Sequence, residues 1–313
     1  MTDSQAPTDS QVPEDRGRLA RRTVLVAGGV AVTAVGVGGT LAANASATQQ
    51  HEARDACYTL TSELVEGPYY IDADKIRRDV TEDQPGIPLV LDLKVIDAET
   101  CKPLRNAAVD IWHCNATGVY SGYESGGGGG PAPTGAPPSG TPTGAPPTGG
   151  PGGGGGGHQE PTDDDRFLRG TWHTDRHGEV TFRTVFPGWY QGRCVHIHVK
   201  VHVDGTWTDA GYEGGHTCHT GQLFFDERAV LASAALEPYA SNTTTRTTLT
   251  EDGIYPQNGH EGGLLYLAYD RRRIGRGVRA RLTLAVAPDE TNDGTGGGGP
   301  APSASASPSA TTG

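Results

Sequence analysis

The sequence predicts an all-β domain: a β-sandwich of short antiparallel strands joined by long loops, with little helix. Two observations lead to this class. From Pro88 onward, short segments in which apolar and polar residues alternate are separated by turn residues. Helical periodicity is convincing in one stretch only, residues 226–236, where alanines and leucines recur at helical spacing. Short strands at regular intervals with few helices are typical of sandwiches and barrels.

Each predicted element follows from its own local pattern. In Leu89–Ile96 every odd-numbered residue is apolar, and a turn follows near Asp97–Pro103. His196–Val203 alternates in the same way, with apolar residues again at the odd-numbered positions. The remaining predicted strands are Ala107–Trp112, Gly178–Thr184, Gln222–Phe225 and Arg279–Val286, and the predicted helix is Asp226–Leu236.

Composition divides the chain into one packed domain and three segments outside it. The 47 glycines and 22 prolines concentrate in two tracts, an insert at 126–157 and a tail at 288–313. Neither tract has enough apolar surface to offset its ordering entropy, so both are predicted to be disordered. What remains, residues 57–287 without the insert, is about 200 residues and suffices for one hydrophobic core.

Residues 1–47 are typical of a twin-arginine export signal. Arg21 and Arg22 precede a long uncharged apolar run that ends in small residues of the A-x-A type. A retained membrane anchor is the alternative, since the run is about long enough to span a bilayer. Its richness in Gly and Ala rather than Leu and Ile favours cleavage. The sequence therefore predicts a secreted protein with no stable membrane partner after cleavage.

Charge and cysteine content narrow the functional classes. The formal net charge is −12 and no basic stripe is present, which argues against nucleic acid as a partner. The five cysteines fit an oxidising compartment, and two disulfides with one free thiol is the expected arrangement, although one or none stays open. We expect Cys194 to be structural rather than a metal ligand.

The most informative segment surrounds residues 190–198. The period of two in the predicted strand places His196 and His198 on one face, within reach of a single metal ion. Tyr190 and Arg193 lie just upstream, after the turn indicated by Pro187-Gly188. Two imidazoles, a phenol and a permanent cation near one point indicate a catalytic metal centre, although none of these residues alone would indicate a function.

Several motifs in the correct order resemble the intradiol ring-cleavage dioxygenases, most closely their secreted single-chain bacterial branch. The resemblance spans about residues 63–286, apart from the insert. The motifs are Glu66-Gly67-Pro68-Tyr69-Tyr70, Asp110-x-Trp112-x-x-Asn115-x-x-Gly118-x-Tyr120, Pro187-Gly188-Trp189-Tyr190 and Arg193-x-x-His196-x-His198.

The resemblance implies a mononuclear non-haem Fe(III) centre that cleaves catechols with O₂ to muconate-type diacids. By position, the implied iron ligands are Tyr120, Tyr190, His196 and His198. Three residues take catalytic roles by the same correspondence. Tyr190 is the ligand that substrate displaces and that accepts a proton, Arg193 stabilises negative charge on the ring, and Gln222 supports the site from behind. The oligomeric state stays open.

Two other functions compete with this interpretation. One is a non-catalytic β-sandwich binding module of the cell exterior, which would have no need to place Arg193 and two tyrosines around a His-x-His pair. The other is a copper or zinc enzyme using His196 and His198, which would be short of protein ligands.

The insert should be dispensable for iron binding. A flexible loop between strands adds little closure entropy as it lengthens, so removing residues 126–157 should leave the domain and its iron content unchanged. Iron per chain, measured by atomic absorption in the deletion variant and in the full chain, checks this. Loss of iron from a folded deletion variant would contradict it.

Overall fold

The alternating segments form ten strands within the part of the chain that the structure describes. This structure is a computed structural model, and it describes residues 57–72, 75–124 and 159–295. The predicted signal, the predicted insert and residues 296–313 lie outside these ranges. The strands are β1 (Pro88–Asp97), β2 (Ala108–Trp112), β3 (Arg169–His173), β4 (Glu179–Val185), β5 (His196–Val203), β6 (Thr206–Trp207), β7 (Tyr212–Glu213), β8 (His216–Phe224), β9 (Tyr266–Ala268) and β10 (Val278–Val286).

Two four-stranded sheets pack face to face, which confirms the predicted β-sandwich. Sheet A has the order β3-β2-β5-β8 and sheet B the order β4-β1-β10-β9; β6 and β7 form a separate ribbon. Neighbouring strands are antiparallel as predicted, except that β1 and β10 pair in parallel over residues 89–97 and 278–286. These are the first and last strands of the sandwich, so the chain between them is long enough for a parallel connection.

Helix is scarce, as predicted. The helix α1 (Glu227–Ala234) begins after Asp226, whose side chain accepts hydrogen bonds from the backbone N–H groups of Arg228 and Ala229. Two short 3-10 helices follow at Tyr239–Ser241 and Ile274–Arg276. Strand β3 was not predicted, because Arg-Gly-Thr-Trp-His has no apolar alternation; its pairing with β2 makes it a strand.

Both faces of β5 are buried, and they differ in chemistry. Ile197, Val199 and Val201 point into the sandwich core and are fully buried. On the opposite face His196 and Lys200 are also buried, at 2% and 5% exposure. This outer face of sheet A must therefore be covered by other parts of the chain.

The cover comes from the N-terminal strap, defined here as residues 61–70. The Leu64 N–H donates to the carbonyl of Thr220 in β8 at 2.8 Å, and the Gln159 N–H donates to the carbonyl of Pro68 at 3.1 Å. Under the strap, the carboxylate of Glu66 pairs with the ammonium of Lys200. The strap thus supplies a partner for a buried charge that would otherwise be costly.

Part of the predicted tail is also tied to sheet A. The backbone N–H of Asn292 donates to the carbonyl of Thr217, and its side-chain amide donates to the carbonyl of Cys218 at 3.1 Å. Polar hydrogen bonds rather than apolar burial hold this segment, which is why composition does not reveal it.

The sequence predicted two disulfides, whereas the structure contains one. Cys57 and Cys101 form a disulfide, whereas Cys114, Cys194 and Cys218 are buried free thiols. Each of the three thiols packs in a different apolar cluster, so none has a second thiol in its own cluster with which to pair. Cys194 is a buried thiol in an apolar cluster, and its structural role stays a prediction.

One buried histidine should make stability depend on pH. Both ring nitrogens of His113 are hydrogen-bonded, to the Cys114 carbonyl at 2.8 Å and to the Thr184 hydroxyl at 2.7 Å. Burial lowers the pKa of His113 to about 4. Because its pKa in the unfolded chain is about 6.5, the unfolded state takes up a proton first as the pH falls. The stabilisation is therefore complete above pH 6.5 and is lost towards pH 4.

We expect the share of His113 in the free energy of unfolding to fall by about 2 kcal/mol between pH 7 and pH 5. Urea unfolding at both pH values checks this: the pH-dependent loss should be smaller in His113→Gln than in the wild type. His177→Gln, at an exposed histidine in the turn before β4, is the control. An equal loss in the wild type and in His113→Gln would contradict the prediction.

Candidate metal centre

The first two alternate residues of β5 bring two imidazoles together. His196 and His198 flank Ile197 on the outer face of sheet A, and their Nε2 atoms are 3.1 Å apart. The Nδ1–H of His196 donates to the carbonyl of Cys194 at 2.7 Å. This bond fixes the tautomer of His196, so its Nε2 carries the lone pair that faces the site.

Tyr190 is brought to the histidines by a loop that packs tightly against a second loop. Its hydroxyl lies 3.3 Å from the Nε2 of His196. The approach depends on Gly188, where a Cβ atom would lie 2.3 Å from the backbone oxygen of Ala116. A larger residue at this position would push the two loops apart, so the glycine is required for the geometry.

Tyr120 enters from that second loop, which follows β2. The side-chain oxygen of Asn115 accepts the backbone N–H groups of Thr117 and Val119 at 3.0 Å each, and this turn presents Tyr120. Tyr120 is fully buried, and its hydroxyl has no hydrogen bond of normal geometry to the described residues. A buried hydroxyl without a hydrogen-bond partner is unusual, and it fits an oxygen that would coordinate a cation.

The structure brings the four predicted metal ligands to one point. Ring centroids are 4.7 Å apart for His196 and His198, and 5.7 Å apart for Tyr190 and His196. Tyr120 lies 5.7 Å from Tyr190 and 6.2 Å from His198 by the same measure. These side chains come from two loops and one strand that are separated in the sequence.

Burial sets the protonation of all four groups. It lowers the pKa of His196 to about 3, with the nearby cation of Arg193 acting in the same direction, and it lowers the pKa of His198. Burial also raises the pKa of Tyr120 and raises that of Tyr190 to about 12. At neutral pH the imidazoles are therefore neutral with free lone pairs, and the phenols lose their protons only to a strong cation.

The chemical types of these four side chains indicate which metal ion the site would bind. Among the described residues, no group of three His, Cys, Asp or Glu side chains is placed to hold a metal ion. A cation at this point would therefore take two oxygens from tyrosines and two nitrogens from histidines. Phenolate oxygens favour hard, highly charged cations, and the residues present fit ferric iron.

Arg193 and Gln222 lie beside the four donors and contact each other. The guanidinium of Arg193 donates from Nη2 to the side-chain oxygen of Gln222, and from Nε to the carboxylate of Asp252 at 3.0 Å. The amide of Gln222 in turn donates to the carbonyl of Val65 in the strap at 3.1 Å. Gln222 is opposite His198 in the register of β5 and β8, and the strap buries it although β8 is an edge strand.

Aromatic rings complete the walls of the centre. Trp112 stacks on His198 with centroids 4.8 Å apart and planes at 11°, and Tyr69 stacks on Tyr120 at 4.8 Å. The strap passes directly over His198 at Gly67, which has φ of 82° and where a Cβ atom would lie 3.2 Å from the His198 ring. The strap therefore needs a glycine here.

The sequence did not reveal two contacts that hold the centre. Asp252 reads as an ordinary turn residue before Gly253, and its partner Arg193 is 59 positions away. Lys200 continues the polar face of β5, but its partner Glu66 lies 134 positions away in the strap. Two signals for the second contact were the lysine among histidines on one face of β5 and the position of Glu66 in the motif Glu66-Gly67-Pro68-Tyr69-Tyr70.

Comparisons with known proteins agree with this geometry. Residues 65–133 match the profile of a protein family described as "Dioxygenase". Catechol 1,2-dioxygenase of Acinetobacter baylyi is 38% identical over 69 residues, which is 20% of this chain and 22% of that protein. The chain thus matches about a fifth of the length of this curated relative.

Two solved structures are similar over far more of the chain. An intradiol ring-cleavage dioxygenase from Tetranychus urticae is 31% identical with a TM-score of 0.58, and the match covers 75% of this chain and 97% of that one. A second dioxygenase structure is also 31% identical with a TM-score of 0.58, over 76% of this chain and 98% of that one.

Proposed function

Because the chain belongs to the intradiol ring-cleavage dioxygenases, a family of oxidoreductases, we propose that it cleaves catechol-type rings with O₂ at a ferric centre. The ring would open between its two oxygen-bearing carbons and give a muconate-type diacid. One observation carries the proposal: two tyrosine hydroxyls and two imidazole nitrogens converge on a buried point beside a fixed guanidinium.

The four donors would hold the iron, with Tyr120 and Tyr190 as phenolates and His196 and His198 as neutral imidazoles. Bound ferric iron would supply Lewis acidity toward the catechol oxygens, so that the substrate rather than the metal would react with O₂. Two anionic ligands suit the ferric state. Because burial keeps His196 and His198 neutral, their imidazole lone pairs would be available to coordinate the metal.

Tyr190 is the donor suited to proton transfer. Burial raises its pKa to about 12, so its phenolate oxygen would be a strong base at the position where substrate enters. That phenolate oxygen would take a proton from a catechol hydroxyl and become a neutral phenol. Tyr190 is partly exposed, whereas Tyr120 is fully buried under Tyr69, so Tyr190 is the freer of the two to move.

Arg193 would stabilise negative charge that develops on the ring. A guanidinium keeps its charge at any relevant pH, and the contacts with Asp252 and Gln222 hold it in place before the reaction begins. Gln222 therefore acts on Arg193 rather than on the metal ligands, which defines the supporting role expected from the sequence.

We propose further that the protein is exported through the signal at residues 1–47. The Arg21-Arg22 pair, the apolar run and the small residues that end it support export. The Cys57–Cys101 disulfide suits an oxidising compartment. In the described ranges no helix is long and apolar enough to cross a membrane.

A visible absorption spectrum of the purified protein, with iron quantified, tests the proposed activity. We expect about one iron per chain and a red tyrosinate-to-iron band that shifts when catechol is added without oxygen. Admission of ¹⁸O₂ should then place both labelled atoms in a ring-opened diacid. A protein that stays colourless after ferric reconstitution would refute the proposal.

Substitutions separate the roles within the centre. Tyr190→Phe should change the band and lower kcat about a hundredfold or more, because both a ligand and a base are lost. Tyr212→Phe, in β7 away from the donors, is the matched control and should behave as the wild type. Unchanged turnover in Tyr190→Phe would exclude the role given to Tyr190.

A further inference from the structure

Asp252 is a buried carboxylate that joins the loop around it to the catalytic end of β5. Its side chain is fully buried and accepts hydrogen bonds at both oxygens. Oδ1 accepts the backbone N–H groups of Ile254 and Tyr255 at 2.8 and 3.0 Å. Oδ2 accepts the Nε–H of Arg193 at 3.0 Å and the backbone N–H of Cys194 at 2.7 Å.

The two oxygens have different partners and therefore different tasks. The Oδ1 bonds close a turn within residues 252–255, which is what an aspartate at the start of many turns does. The Oδ2 bonds reach across the fold to Arg193 and Cys194. A turn alone would not require the second oxygen to be buried against a guanidinium.

These contacts fix the plane of the Arg193 guanidinium. Asp252 engages the Nε edge and Gln222 engages Nη2, so two of its three nitrogens are held by different elements of the chain. A planar group held at two nitrogens has little freedom to rotate. The hydrogen bonds of the guanidinium to the described residues involve Nε and Nη2, which leaves Nη1 for a ligand.

The same carboxylate also acts on a proposed metal ligand through the backbone. Asp252 holds the N–H of Cys194, and the carbonyl of Cys194 accepts the Nδ1–H of His196 at 2.7 Å. The orientation of His196 and that of Arg193 are thus set from one side chain in a distant loop.

We propose that Asp252 is a positioning residue, which aligns Arg193 and the Cys194–His196 backbone for ring cleavage without touching substrate. This inference rests on the proposed function, since it assigns Asp252 to that reaction. It predicts that most of the effect of Asp252 on turnover passes through Arg193, with a smaller part through the backbone of Cys194.

Asp252→Asn separates the two tasks. The amide oxygen can still accept the two turn N–H groups, whereas an amide nitrogen in place of Oδ2 cannot accept from Arg193 or Cys194. Asp226→Asn is the matched control, because Asp226 accepts two backbone N–H groups at the start of α1 and has no guanidinium partner among the described residues. The control should keep wild-type turnover.

A double-mutant cycle on the full-length, iron-loaded protein tests the inference. Arg193→Gln should lower kcat/KM for catechol about a hundredfold or more, and Asp252→Asn about tenfold or more. In the Arg193→Gln background, Asp252→Asn should cost less than about threefold. Iron content should be unchanged in all variants. An equal loss from Asp252→Asn in both backgrounds would overturn the proposal.

Two further readouts do not depend on turnover. The dissociation constant for catechol, measured by anaerobic optical titration, should rise in Asp252→Asn and not in Asp226→Asn. A crystal structure of Asp252→Asn should show the guanidinium displaced; an undisplaced guanidinium would overturn the proposal even if the wild type proved inactive on catechols. If Asp252→Asn does not fold, Asp252→Glu replaces it in the double-mutant cycle. This variant keeps the negative charge but should shift Arg193, and the same two outcomes support or overturn the proposal.

Discussion

The outer face of sheet A is polar and yet buried, and the rest of the site depends on this constraint. His196, His198 and Lys200 point away from the sandwich core, where a half-buried strand would normally meet water. Buried polar groups need partners, so the fold must supply a carboxylate, carbonyls or a metal ion to them. The N-terminal strap supplies Glu66 to Lys200 and passes over His198 at Gly67. At the candidate metal centre, the Tyr120 hydroxyl and the Nδ1 atom of His198 are buried and have no hydrogen-bond partner among the described residues.

Local pattern predicted most of the sandwich, because alternation in a strand is a property of neighbouring residues. The limits of β5 were predicted from the period of two alone, as was the position of His196 and His198 on the same face of that strand. Strand β3 did not, because its residues are extended only where β2 gives them hydrogen bonds. The number of disulfides was also out of reach, since it depends on which apolar cluster each thiol enters.

The resemblance predicted that Tyr120, Tyr190, His196 and His198 lie together, whereas the contacts that position them were not predicted. Asp252 and Arg193 are 59 residues apart, and Glu66 and Lys200 are 134 apart. Such pairs have no signature within a window of sequence, because tertiary packing alone makes them neighbours. Gly188 shows the same limit: its turn was predicted, but the need for a bare Cα comes from the backbone of Ala116 in another loop.

The two tyrosines are chemically alike and are held very differently, which bears on how substrate enters. Tyr120 is fully buried, stacked under Tyr69 and fixed by the turn at Asn115. Tyr190 is partly exposed, and its hydroxyl lies 3.3 Å from the Nε2 of His196. Tyr120 lies inside a packed aromatic cluster, whereas Tyr190 packs against the edge of that cluster, so displacing Tyr190 would disturb the packing less. A centre that must open one coordination position for a chelating substrate would therefore open at Tyr190, beside the free edge of Arg193.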